Sequence, residues 1–146
     1  MLTYIGIGSN LGDSLQNCRQ AIARVAAEGR NRLLQCSSFY STEPVGNKNQ
    51  NWFINAVAAV ETSMPPRDYL DFLLSVEEGM GRKRKEPWGP RVIDLDLLFY
   101  GDEIFDEEGM KIPHPRLQER RFVWLLFRNL RRIGSIPDSI RPFPKC

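Results

Sequence analysis

Val92-Ile93-Asp94-Leu95-Asp96-Leu97-Leu98-Phe99-Tyr100 reads as a strand whose two faces differ in kind. Side chains on a strand alternate faces with a period of two. Ile93, Leu95, Leu97 and Phe99 then point one way. Asp94 and Asp96 point the other, and Leu98 and Tyr100 continue their face in apolar character. A strand facing only solvent would stay polar along that side. Two carboxylates with Cβ atoms roughly 7 Å apart repel unless a cation lies between them. Hard oxygen donors suit magnesium, which usually keeps waters and phosphate oxygens as its other ligands. A lone Asp-x-Asp also occurs on solvated strands, so the neighbours decide its meaning.

The segment just before this strand is basic. Arg82, Lys83, Arg84, Lys85 and Arg91 stand against one acid, Glu86. A charge run alone is most often a solvated loop. Beside paired carboxylates it suits a polyphosphate, whose oxygens gain charge during transfer and which arginine grips bidentately. Trp88 on the same loop offers either a core anchor or a flat surface for a planar ring. Asn55 interrupts the otherwise apolar Phe53-Ile54-Asn55-Ala56. Its amide can pair with the donor and acceptor edge of a heterocycle, or serve as a satisfied structural amide. Glu77, on an apolar helix face, is open in the same way. His114 is fixed between two prolines and reads as structural.

Working outward, residues 3–7 alternate as a first strand, closed by the turn Gly8-Ser9-Asn10-Leu11-Gly12. Asp13 or Ser14 caps a helix with Leu15, Cys18, Ile22 and Val25 on one face, ended by Gly29. A second strand is expected over 33–42, then a polar turn-rich loop over 43–51 and a third strand over 52–61. Pro65 and Pro66 open a second helix with Leu70, Leu73, Leu74 and Glu77 on one face; Gly79 and Gly81 break it. Residues 116–132 have a helical stripe, and the Pro-rich tail 137–146 reads as irregular. Strand–helix–strand–strand–helix–strand is a split βαβ plan. It predicts an α+β, ferredoxin-like fold, an antiparallel sheet with its helices packed on one face.

The chain has 146 residues, 42% of them apolar, with a net charge of +2. Those values fit a single domain, residues 1–146, with no global charge signature for nucleic acid. No segment is apolar enough for a signal peptide or a bilayer span. Three widely spaced cysteines argue against a disulfide framework and fit a reducing, cytoplasmic setting. One histidine nearly excludes a multi-histidine zinc site.

Taken together, these segments resemble the 6-hydroxymethyl-7,8-dihydropterin pyrophosphokinases of folate biosynthesis. The likeness rests on Gly8-Ser9-Asn10-Leu11-Gly12, Ser38-Phe39-Tyr40-Ser41-Thr42, Phe53-Ile54-Asn55-Ala56-Val57, Gly81-Arg82, Trp88-Gly89-Pro90-Arg91-Val92-Ile93-Asp94-Leu95-Asp96 and Ile112-Pro113-His114-Pro115-Arg116. It spans roughly residues 4–123, and the run from Trp88 to Asp96 is its most specific part. The resemblance implies an ATP-dependent pyrophosphokinase that passes the terminal pyrophosphoryl group of ATP to the pterin hydroxymethyl oxygen and releases AMP. It implies two magnesium ions on Asp94 and Asp96, and catalytic roles for Arg82, Arg91, Asp94 and Asp96. ATP would be held by Glu77, Arg84, Trp88, Arg91, Leu97, His114 and Arg120. The pterin would lie against Thr42, Pro44, Val45, Phe53, Asn55, Trp88, Asp94 and Phe122, with Phe53 and Phe122 as the sandwiching rings. Phe53 stands where many relatives carry tyrosine, and it keeps the stacking surface. The partners implied are the two small-molecule substrates, with no nucleic acid and no membrane, for a protein acting as a monomer.

Other readings are another metal-dependent nucleotidyl- or phosphotransferase, an inactive pterin- or nucleotide-binding relative, and an RNA-binding module on the same plan. Nucleotidyltransferases need Gly-Ser shortly before the acids, whereas Gly8-Ser9 is remote. An RNA module needs exposed aromatics on its central strands, and Asp94 and Asp96 would repel its phosphates. Intact Arg82, Arg91, Asp94 and Asp96 oppose an inactive relative.

Overall fold

The computed structural model describes residues 1–42, 51–81 and 92–112, and of Thr42 only the backbone. In chain order the elements are β1 (Leu2–Ser9), α1 (Ser14–Ala27), β2 (Asn31–Cys36), β3 (Tyr40–Thr42), β4 (Phe53–Thr62), α2 (Pro66–Gly79), β5 (Asp94–Tyr100), β6 (Phe105–Glu107) and β7 (Met110–Ile112). The main sheet has five strands in the order β2-β4-β1-β5, with β3 also pairing β4, and every pairing is antiparallel. β1-α1-β2 therefore straddles β4, and β4-α2-β5 straddles β1. Two interlocked split βαβ units result, the expected ferredoxin-like α+β plan.

One sheet face is the core. Ile5 and Ile7 of β1, Ala56, Ala58 and Val60 of β4, and Leu95, Leu97 and Tyr100 of β5 pack with Cys18, Ala21, Ile22 and Val25 of α1 and Tyr69, Leu73 and Val76 of α2. Asp13 caps α1, its side chain accepting from the Gln16 amide at 3.2 Å. Leu15, expected on the buried stripe, is 37% exposed, and Ala21 takes its place in the core. Both helices lie on this face; on the opposite face Val57, Ala59 and Leu98 are buried, while Asp94 and Asp96 are half-buried.

Two expectations are corrected. The strand read over 33–42 is two strands. Beyond Cys36 the chain leaves the ladder, and the Ser37 hydroxyl accepts the Val57 amide at 2.8 Å while the Ser37 amide donates to the Val57 carbonyl at 2.8 Å. A side chain thus satisfies a backbone group that strand pairing would otherwise serve. In β5 the alternation breaks. Ile5 pairs with Leu97 but Tyr4 pairs with Phe99, so Leu98 is an extra residue. Phe99 consequently leaves the Leu95–Leu97 face and meets Tyr4 edge-on, with centroids 6.3 Å apart. Tyr100 turns into the core, where its hydroxyl donates to the Met64 carbonyl at 2.6 Å. Among the described residues Cys18 is a buried free thiol.

The predicted helix over 116–132 and the tail 137–146 lie outside the described residues. Among the described residues no helix is long and apolar enough to cross a membrane.

Candidate active site

Strand register builds the site. Gly8 of β1 sits opposite Asn55 on one side and opposite Asp94 on the other. Gly6 sits in the same way between Val57 and Asp96. Directly paired residues share a sheet face, so Asn55, Val57, Asp94 and Asp96 all lie on the face away from the helices. Neighbouring strands are about 4.8 Å apart, which puts the backbones at Asn55 and Asp94 roughly 10 Å apart. Between them runs a strip of β1 that is bare at Gly8, while the Leu98 side chain lies over Gly6, 3.5 Å from where a Cβ would stand. The result is a trough with an amide along one wall and two carboxylates along the other.

The trough is narrowest at Gly8. A Cβ there would lie 2.9 Å from the Asn55 Oδ1 and 3.7 Å from an edge carbon of the Phe53 ring. The Asn55 amide and the Phe53 ring therefore converge over the Gly8 backbone. Isolated glycines inside a strand often mark such close approaches. Asn55 is 7% exposed, whereas Asp94 and Asp96 are half-buried. An amide held at that depth presents a fixed donor and acceptor pair to a flat ring lying in the trough.

One wall extends further than the sequence reading placed it. Tyr40 of β3 pairs with Asn55, and Thr42 pairs with Phe53. Tyr40, Asn55, Gly8 and Asp94 thus form one row across four strands. In the sequence Tyr40 has no role beyond its place in Ser38-Phe39-Tyr40-Ser41-Thr42, and Gly6 and Gly8 have none. Their alternate spacing on a strand was the available signal, but only pairing reveals what flanks them.

Of the expected site residues, the structure brings Phe53, Asn55, Asp94 and Asp96 to one face, with the Thr42 backbone at its edge. Leu97 faces the core at 3% exposure and offers this face only its backbone. Glu77 is 2% exposed near the end of α2, on the helix side of the sheet. Pro44, Val45, Arg82, Arg84, Trp88, Arg91, His114, Arg120 and Phe122 lie outside the described residues.

Asp94 and Asp96 can be tested as metal donors on their own geometry. They project from alternate positions of one strand, Asp94 beside the bare Gly8 and Asp96 beside Gly6, over which Leu98 packs. Among the described residues no three His, Cys, Asp or Glu side chains come together as a protein-only cage. Two carboxylates completed by water and phosphate oxygens are a usual donor set for magnesium. The residues present fit that ion when it is shared with a polyphosphate.

Comparison with known proteins places the chain in a family. Residues 4–132 match the family described as 7,8-dihydro-6-hydroxymethylpterin-pyrophosphokinase (HPPK). A 2-amino-4-hydroxy-6-hydroxymethyldihydropteridine pyrophosphokinase of Methylorubrum extorquens is 40% identical over 120 residues, covering 82% of this chain and 76% of that protein. The protein of the same name from Bacillus subtilis is 38% identical over 122 residues, with 84% and 73% covered. That of Pseudomonas aeruginosa is 36% identical over 136 residues, with 93% and 84% covered. A crystal structure of an HPPK-DHPS in complex with substrates superposes with a TM-score of 0.65 at 12% identity, covering 95% of this chain and 41% of that one, and supports the fold. With a family match over most of its length and relatives near 40% identity, this chain belongs to the 7,8-dihydro-6-hydroxymethylpterin-pyrophosphokinase family.

Proposed function

We infer that this chain transfers the terminal pyrophosphoryl group of ATP to the hydroxymethyl oxygen of 6-hydroxymethyl-7,8-dihydropterin, releasing AMP, as a step of folate biosynthesis. The observation that carries this reading is the row Asn55–Gly8–Asp94. It sets an amide able to read a heterocycle edge across a bare glycine from a carboxylate able to share a cation with phosphates. A flat ring on the Asn55 wall would present a short substituent toward Asp94 and Asp96. Family membership and the names of the relatives point to the same substrates.

In the reaction the hydroxyl oxygen attacks the β-phosphorus in line. A new O–P bond forms, the bond from that phosphorus to the α,β-bridging oxygen breaks, and AMP leaves with the electron pair. The hydroxyl proton passes to a water or to the Asp96 carboxylate. Little of this is covalent work for the protein, so positioning and charge neutralisation supply the rate. Asn55 and Phe53 hold and orient the ring. Asp94 and Asp96 would hold two magnesium ions, which neutralise the triphosphate and the charge building on it. We assign Arg82 and Arg91 to the transferring phosphates, and Glu77, Arg84, Trp88, Leu97, His114 and Arg120 to the nucleotide. Thr42, Pro44, Val45, Trp88 and Phe122 complete the pterin pocket. We further propose a single-domain monomer acting in the cytoplasm.

The test is product identity with the acids in place and removed. Wild-type protein with ATP, magnesium and the pterin alcohol should form AMP and no ADP. Asp94→Asn and Asp96→Asn should each cut turnover at least about a hundredfold, since each removes a charged metal ligand whose role is electrostatic. Circular dichroism should be unchanged. ADP as product would mark an ordinary kinase, and no turnover with both substrates bound would mark an inactive relative.

A further inference from the structure

The turn Gly8-Ser9-Asn10-Leu11-Gly12 contributes Gly8 to the trough, but its other residues have no part in the chemistry above. Asn10 is 2% exposed, and a buried carboxamide is costly unless its groups are bonded. Its Nδ2 donates to the main-chain carbonyl of Asn51 at 3.0 Å, across 41 positions of sequence. Asn51 lies two residues before Phe53 and four before Asn55. The turn is itself braced from α1. Asn17 Nδ2 donates to the Leu11 carbonyl at 2.9 Å and, more weakly, to the Ser9 hydroxyl at 3.4 Å. A chain of contacts thus runs from helix to turn to the start of β4, on which the acceptor wall is mounted.

We propose that Asn10 is a positioning residue for the acceptor half of the site. It fixes the start of β4 against the end of β1, and so fixes the Phe53 ring and the Asn55 amide over Gly8. It touches neither substrate. The closeness of Asn55 to Gly8 makes the arrangement sensitive to such an anchor, since a side chain held that tightly has little room to recover from a shifted backbone. Asp94 and Asp96 belong to β5 and are paired to β1 by their own ladder, so the metal and nucleotide half does not depend on this contact.

The proposal rests on the pyrophosphokinase reading, and its test separates the two. Affinity for the pterin alcohol and for magnesium with a non-hydrolysable ATP analogue is measured by calorimetry, with KM and kcat and a thermal melt beside it. Asn10→Asp keeps the shape but turns an oxygen toward the Asn51 carbonyl. Asn17→Ala loosens the same turn from its less buried side and serves if Asn10→Asp fails to fold. Pterin affinity should fall about tenfold in Asn10→Asp, the scale of one hydrogen bond lost. It should fall less in Asn17→Ala, while kcat and analogue affinity stay within about twofold. A folded Asn10→Asp with unchanged pterin affinity would overturn the proposal. So would equal losses for both ligands in either variant, which would mark a general structural role. Wild-type protein that binds no pterin would overturn the functional reading and this proposal together.

Discussion

At the scale of single residues the site depends on what is missing as much as on what is present. Asp94 and Asp96 were legible because strand periodicity alone puts them on one face. Gly8 was not, because its meaning comes from Asn55 and Asp94, which are 47 and 86 positions away and become neighbours only through pairing. Adding a methyl group at Gly8 would force the Asn55 amide to shift, since its Oδ1 lies 2.9 Å from the new carbon. That atom ends a side chain, so the fold should absorb the change. Gly8→Ala is therefore expected to weaken pterin binding about tenfold or more, a loss on the scale of a hydrogen bond. Nucleotide affinity and melting temperature should stay near wild type, and calorimetry with each ligand checks the split. A second residue-scale expectation concerns Cys18. Burial pushes its thiol up to about 12, and it donates to the Ile54 carbonyl at 3.6 Å. The thiolate is the nucleophile, so at pH 8 nearly all of this thiol is protonated and inert. Iodoacetamide followed by mass mapping should leave Cys18 unmodified in native protein and alkylated in denaturant.

At the scale of elements, order and type were readable, and register was not. Proline at the start of α2, Asp13 at the start of α1 and the period-two strands are local signals. The extra residue Leu98 in β5 is not one, because nothing in its own sequence distinguishes a bulge from continued alternation. The consequence was an exchange of roles, with Phe99 taken for core and Tyr100 for the acid face. The break between β2 and β3 has the same origin, since it depends on Ser37 meeting Val57 across the sheet. The core face supports a stability expectation. Leu73 is fully buried on α2 among β-strand side chains. Leu73→Ala should destabilise the protein by about 2–5 kcal/mol through lost transfer free energy and a residual cavity. Denaturant unfolding measures it. Tyr69→Phe removes a hydroxyl 2.9 Å from the Thr3 hydroxyl and should cost about 1 kcal/mol. Neither residue lies on the trough face, so both variants should keep near-normal turnover at temperatures well below their melting points.

At the scale of the molecule, the sheet carries two separable tasks on its two faces. The face under α1 and α2 supplies the core, and the face over Gly6 and Gly8 joins an amide wall to an acidic wall. The split βαβ order makes this possible, because it places β1 centrally and lets its glycines lie between β4 and β5. The central claim is that this trough joins the terminal pyrophosphoryl group of ATP to a pterin alcohol. Following a phosphorus label at the β position of ATP through a single turnover, with magnesium and 6-hydroxymethyl-7,8-dihydropterin, tests it most directly. The label should move quantitatively to the pterin as unlabelled AMP accumulates in equal amount. Label remaining in ADP, or remaining in ATP with both substrates bound, would contradict it.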